Sequence, residues 1–114
     1  MTKNHKDKVI VFQRDVEAEK AAPGVVRRVM AYCDTMMCVL NEFEEGAEGA
    51  IHSHPHTQIT YVVNGRFRFF IGEEVDEVGI GDTLCVQNGV KHGCLCLEKG
   101  TLLDSFTPMR EDFI

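Results

Sequence analysis

Long apolar runs and an excess of positive charge are both missing from this sequence. No hydrophobic stretch approaches the length of about 18 residues that a transmembrane helix needs. The 18 aspartates and glutamates outnumber the 12 lysines and arginines, and the net charge is −6. Because nucleic acids bind basic surfaces, we expect neither a nucleic acid nor a membrane among the partners of this chain.

Disulfide patterns and targeting signals are also lacking. The five cysteines are an odd number with no Cys-x-x-Cys pair, so we expect no disulfide framework, and we expect most of the thiols to be small buried groups in a reducing compartment. The charged first eight residues are followed by no apolar segment of signal-peptide length. We therefore predict a cytoplasmic protein with a loose tail at residues 1–8, in which His5 is a disordered polar residue.

What the sequence does contain is a succession of short β-prone segments separated by glycine-containing turns. This pattern predicts an all-β sandwich or barrel, and 114 residues with 44% hydrophobic content suit one domain spanning residues 1–114. Asn64-Gly65 predicts a tight hairpin, and residues 17–22 predict one helical turn. The predicted strands are 25–33, 36–43, 57–63, 66–71, 75–78, 83–87, 92–97 and 101–106.

Three histidines and a glutamine form the most informative pattern in the chain. His52, His54 and Gln58 are separated by even numbers of residues, which places them on one face of an extended strand. His92 would approach from a neighbouring strand. Imidazole nitrogens bind divalent transition metals, so we predict a metal site with open positions for a substrate; scattered surface histidines are the alternative.

Glycines frame these residues in a way that resembles the two cupin motifs. Gln58 stands where the first motif has glutamate, and Gln87 and Cys96 replace the proline and asparagine of the second. The resemblance implies a single cupin-type β-barrel (a jelly roll, or double-stranded β-helix) with short terminal extensions, motif one at 46–65 and motif two at 81–96. It also implies one divalent ion (Zn, Ni, Fe or Mn). The matching positions are Gly46, His52, His54, Gln58, Gly65, Gly81, Gly89 and His92.

The roles of three residues near this site stay open at the level of sequence. His56 shares the even spacing, so it either contacts the metal or substrate or is a loop histidine turned away by Pro55. Cys94 and Cys96 are in phase with His92. They are either thiolate ligands or buried apolar thiols.

An acid, an aromatic residue and an arginine follow in the last strand and tail. Asp104 and Phe106 share a strand face with Leu102, so Asp104 is expected to be buried, with a raised pKa unless a cation pairs with it. Such a carboxyl group suits proton transfer. Phe106 would pack on a ring, and Arg110 would bind a carboxylate through two hydrogen bonds. The alternative is an Asp104–Arg110 ion pair that anchors the tail.

Residues 52–58 and 102–114 together resemble the KdgF group of small cupins, which act on 4,5-unsaturated monouronates released from pectin or alginate. The resemblance implies a redox-neutral conversion to linear 4-deoxy-5-keto uronates, with Asp104, Phe106 and Arg110 as catalytic residues. It also implies a small anionic sugar-like substrate and a homodimer. A metal-dependent cupin dioxygenase and a non-catalytic cupin that binds sugar acids are the alternatives.

Overall fold

The computed structural model describes residues 3–114, which fold into eight β-strands and two short 3-10 helices. None of these helices is long and apolar enough to span a membrane. The all-β prediction is therefore confirmed. The strands are β1 (Glu19–Ala22), β2 (Val25–Tyr32), β3 (Met37–Phe43), β4 (Glu48–His52), β5 (Thr57–Ile71), β6 (Glu74–Gly79), β7 (Thr83–Val86) and β8 (His92–Thr107), and the 3-10 helices are Gln13–Asp15 and Glu111–Phe113.

The two longest strands, β5 and β8, pair antiparallel along almost their whole lengths. Their register runs from Thr57 opposite Thr107 to Ile71 opposite His92. On its other edge, β5 pairs first with β7 and then with β6, whereas β8 pairs first with β4 and then with β3. Strands β2 and β1 extend the β3 edge. All eight strands thus belong to one hydrogen-bonded sheet.

The course of β5 contradicts the hairpin predicted at Asn64–Gly65. The strand continues through these residues, with register shifts on both sides of Asn64. Gly65 has φ +83, and a Cβ there would lie 2.5 Å from the Cα of Gly100. A bulge and a tight hairpin both require a left-handed residue, so the local sequence signal does not distinguish them.

The helical turn predicted at residues 17–22 is also wrong. Glu19–Ala22 forms β1 and pairs with β2, and the 3-10 helix lies earlier, at Gln13–Asp15. The Arg27 side chain on β2 donates to the Glu19 carboxylate over 3.1 Å. Pairing with a neighbouring strand therefore overrides a weak local preference for helix.

The amino-terminal segment is attached to the barrel more firmly than its composition indicates. The Nε2 atom of His5 lies 3.0 Å from the carbonyl oxygens of both Val29 and Met30, and its ring packs edge-on against Tyr32. The backbone amide of Asp7 also donates to the Tyr32 carbonyl. The prediction that His5 is disordered is wrong, and the first two residues of the predicted tail lie outside the described residues.

Two apolar clusters fill the interior, and buried polar residues lie between them. Phe67 is fully buried and packs edge-on against Phe43 in the first cluster, while the second cluster surrounds Phe106. The inward side chains of β5 and β8 include Gln58 and Asp104. Buried polar groups cost free energy unless they are paired. The polar residues between the two clusters are therefore candidates for a functional site.

The cysteines agree with the sequence in their bonding but only partly in their burial. All five thiols are free, as expected. Cys94 and Cys96 are buried, Cys33 and Cys38 are half-buried, and Cys85 is exposed. The expectation that most of the thiols are buried is therefore met only by Cys94 and Cys96, and Cys85 faces outward on β7.

Candidate metal centre and its cavity

Three histidines, His52, His54 and His92, form what we call the histidine cluster. Their candidate ligand atoms all lie within 4.8 Å of one another. His52 ends β4 opposite His92 on β8, whereas His54 lies in the loop before β5. The structure brings the three histidines together, but they do not share one strand, because β4 ends at His52.

Backbone carbonyls orient two of these rings. The Nδ1 atom of His52 lies 2.7 Å from the Ala50 carbonyl oxygen, and that of His92 lies 2.9 Å from the Val90 oxygen. A ring nitrogen that faces a carbonyl carries the proton, so the Nε2 lone pair of each ring is free. Histidines that bind metals are commonly held in this way.

The third ring, His54, is buried, and its Nδ1 atom has no hydrogen-bond partner among the described residues. Its Nε2 atom lies 3.2 Å from the Gln58 amide oxygen. Burial, with added repulsion from Arg110 and His92, lowers the pKa of His54 to about 4. Burial likewise lowers the pKa of His92. The lowered pKa values of His54 and His92 favour the neutral imidazole, the form that binds a metal, so the cluster fits a divalent ion.

The neighbouring thiols and His56 have other partners. Burial raises the pKa of Cys94 to about 12, so it is a neutral thiol, and the Cys96 thiol donates to the Glu98 carbonyl over 3.1 Å. The Nε2 atom of His56 lies 3.2 Å from the Met109 carbonyl oxygen. These contacts favour buried thiols over thiolate ligands, and they give His56 a role in holding the carboxy-terminal segment.

Asp104 is buried on β8 and accepts hydrogen bonds on both carboxylate oxygens. Asn41 donates to Oδ2 over 2.7 Å, while Thr60 and Gln58 donate to Oδ1. Burial raises the pKa of Asp104, although these three donors and the Arg110 charge act in the opposite direction. Asn41 and Thr60 were not predicted from the sequence, although each alternates in phase with buried residues of its own strand.

Arg110 does not form the ion pair with Asp104 that the sequence left as an alternative. Instead, its Nε and Nη2 atoms donate to the two carboxylate oxygens of Asp112, over 3.0 and 2.7 Å.

The Arg110 guanidinium also lies beside two aromatic rings. Its carbon is 5.0 Å from the ring centroid of Phe106 and 4.2 Å from that of Phe113. Arg27 lies 3.9 Å from the same Phe113 ring. Sequence reasoning missed Phe113 and Arg27 as neighbours of the site.

One cavity of about 320 Å³ connects most of these groups. This volume lies at the lower end of the range for small-molecule sites. His54 is not among the residues that line it, and the 3-10 helix Glu111–Phe113 contributes Phe113 to its wall. The predicted metal-binding and catalytic residues that line the cavity are His52, Gln58, His92, Asp104, Phe106 and Arg110, and Cys94 lines it as well.

Comparison with known proteins agrees with this fold. The model of the Cupin domain matches residues 39–103, and the chain belongs to the cupin family. Within that family it is similar to the pectin degradation protein KdgF of Dickeya dadantii, with 36% identity over 98 residues that cover 84% of this chain and 89% of the relative. The predicted family resemblance is confirmed.

Solved structures give the same result. An RmlC-like cupin from Shewanella frigidimarina matches with a TM-score of 0.90 and 34% identity, covering 94% of this chain and 96% of that one. KdgF from Halomonas sp. matches with a TM-score of 0.88 and 30% identity, covering 92% and 97% respectively. The predicted single cupin barrel is therefore confirmed.

Proposed function

We propose that this protein converts 4,5-unsaturated monouronates to linear 4-deoxy-5-keto uronates in the breakdown of pectin or alginate. The observation that carries the proposal is that Asp104, Phe106 and Arg110 face the same cavity as His52 and His92. An acid, an aromatic ring and a carboxylate-binding cation beside a candidate metal site suit a small anionic sugar. The similarity to two KdgF proteins supports the same substrate class.

The proposed ligands of one divalent ion (Zn, Ni, Fe or Mn) are the histidine cluster and Gln58. When bound, such an ion would supply Lewis acidity toward a substrate oxygen. Gln58 is neutral where the cupin motif has glutamate, so these four side chains leave the full positive charge uncompensated. We therefore expect a centre that favours anionic oxygen groups such as a carboxylate.

Three side chains that line the cavity have separate roles in the proposed reaction. Arg110 binds the substrate carboxylate through the same two-atom geometry that it uses with Asp112, and Phe106 packs against the sugar ring. Asp104 moves the proton, since a carboxylate with a raised pKa is a stronger base. One proton leaves the anomeric hydroxyl as the ring opens and one is added at C4, so the reaction needs no oxidant.

Turnover of an unsaturated galacturonate monomer tests this proposal through loss of the ultraviolet absorbance of its conjugated double bond. We expect turnover without oxygen, loss of activity after chelation, and recovery when Zn or Ni is added back. Asp104→Asn is expected to lower kcat about 100-fold or more. Asp76→Asn, a matched change on the exposed side of β6, is the control.

Three results would contradict parts of the proposal. Full activity of the Asp104→Asn protein would show that Asp104 does not transfer the proton. A requirement for oxygen and a redox-active metal would favour a dioxygenase. Uronate binding without turnover would favour a binding protein.

The partner surface that we propose for a homodimer is the outward apolar face of β5, consisting of Ile59, Tyr61 and Val63. These side chains are 46%, 44% and 39% exposed, and none carries a charge. On the neighbouring strand β8, Leu103 lies opposite Tyr61. A second copy presents the same face, so two copies can cover it about a two-fold axis.

A further inference from the structure

The amide of Gln58 lies between two different environments. Its nitrogen is 2.9 Å from the Thr60 hydroxyl oxygen and 3.3 Å from Oδ1 of Asp104. Its oxygen is 3.2 Å from Nε2 of His54. Gln58 is 6% exposed, so these protein groups are its main hydrogen-bond partners, and the direction of the amide decides which atom faces the histidine cluster.

The hydrogen bonds around Asp104 allow only one direction for this amide. The carboxylate accepts from Asn41 on one oxygen and from Thr60 on the other. Thr60 has a single hydroxyl proton and donates it to Asp104, so toward Gln58 it can only accept. The Asp104 carboxylate and the Thr60 hydroxyl oxygen therefore both accept hydrogen bonds from Gln58. This arrangement places the NH₂ group of Gln58 toward them and its amide oxygen toward His54.

We propose that the Asp104 carboxylate requires an amide side chain at position 58. It excludes glutamate from that position and directs the amide oxygen toward the histidine cluster. Asn41 and Thr60 are positioning residues that hold the carboxylate and the amide in place. A glutamate at position 58 would bring two carboxylates to within hydrogen-bond distance in a buried site, where like charges repel strongly. The departure of Gln58 from the cupin motif is then a consequence of the acid on β8.

The same contacts predict that the amide at position 58 and the acid at position 104 can be exchanged with each other. In a chain carrying both Gln58→Glu and Asp104→Asn, the new amide at 104 would donate to the new carboxylate at 58 and still accept from Asn41. The Thr60 hydroxyl, which is fully buried, would reverse direction and donate to residue 58. Every polar group of the network would keep a partner, and the number of buried carboxylates would be unchanged.

Thermal unfolding of chelator-treated protein tests the exchange without any metal. We expect Gln58→Glu to lower the Tm, and the double variant to unfold at a higher temperature than the Gln58→Glu protein. Gln87→Glu, the same change at an exposed position, is expected to have little effect. The proposal is overturned if Gln58→Glu unfolds at the wild-type temperature, or if the losses of the two single variants simply add in the double variant.

Zn²⁺ affinity, measured by calorimetry, tests the positioning role, which rests on the proposed metal site. We expect Thr60→Val to weaken Zn²⁺ binding about 10-fold, the lower limit typical of groups that orient a ligand, and Thr60→Ser to restore it. Wild-type affinity in the Thr60→Val protein would overturn the positioning role. If the wild-type protein bound no metal, the proposed function would fail, whereas the unfolding measurements would still decide whether residues 58 and 104 are coupled.

Discussion

At the scale of single residues, the thiols differ in how readily they form the thiolate. Hydrogen bonds from the side chain and backbone of Thr35 lower the pKa of Cys33. Burial raises the pKa of Cys94 to about 12. Because only the thiolate is nucleophilic, the reactivity of these two side chains should diverge at mildly alkaline pH.

Alkylation should therefore distinguish Cys33 from Cys94 in the folded protein. With iodoacetamide at about pH 8, a lowered pKa increases the thiolate fraction of Cys33, while that of Cys94 stays negligible. We expect mass spectrometry of digested protein to find Cys33 modified and Cys94 unmodified until the chain is denatured. Rapid labelling of Cys94 in folded protein would contradict the neutral, buried thiol described here.

The sequence was sufficient to find residues whose chemistry is unusual for their position. Asp104 and Phe106 could be placed on an inward face because a charge alternating with apolar residues on a strand is rare. Asn41 and Thr60 could not, since neutral polar side chains on strands more often face solvent. The partner of Arg110 also depended on the local conformation of the tail, whose 3-10 helix Glu111–Phe113 holds Asp112 beside the guanidinium.

At the scale of strands, Gly65 is the position where β5 tolerates no side chain. We expect Gly65→Ala to destabilise the protein severely, because its Cβ would lie 2.5 Å from the Cα of Gly100 and 2.6 Å from two carbonyl oxygens. Backbone atoms on a paired strand cannot move aside as a flexible side chain can. Thermal unfolding and yield of folded protein measure the effect.

Gly81→Ala is the matched control for this substitution. Gly81 has φ +88, close to the φ +83 of Gly65, but a Cβ there would meet nothing within 4 Å. The Gly81→Ala substitution should therefore lower the free energy of unfolding only by the cost of placing alanine in the left-handed conformation, about 1 kcal/mol. Equal losses in the two variants would show that backbone strain, and not the contact with Gly100, explains the glycine at position 65.

The strands illustrate what local sequence can and cannot predict. Alternation located β5 and β8 because one side of each strand is buried. It could not show that they pair beyond Asn64, since that pairing depends on residues far along the chain. The same limitation applies to β1, whose strand conformation comes from its contact with β2.

At the scale of the whole molecule, the apolar face of β5 predicts a dimer. Sedimentation velocity should give twice the 12.8 kDa mass of one chain. Tyr61→Glu should shift the protein to monomer, because a charge in a two-fold interface is placed opposite its own copy. Val75→Glu, at a position 57% exposed on β6, should leave the dimer intact. A wild-type monomer would contradict this interface.

The long antiparallel pairing of β5 with β8 also affects how the chain folds. The strands approach each other in sequence only between Ile71 and His92, and their most distant paired residues are Thr57 and Thr107. Folds dominated by such non-local pairs fold slowly, on timescales of about milliseconds to seconds. Gln58 lies opposite Phe106 near the distant end, so we expect the cavity to be completed only when pairing has spread along both strands, and a partly folded chain to lack the site.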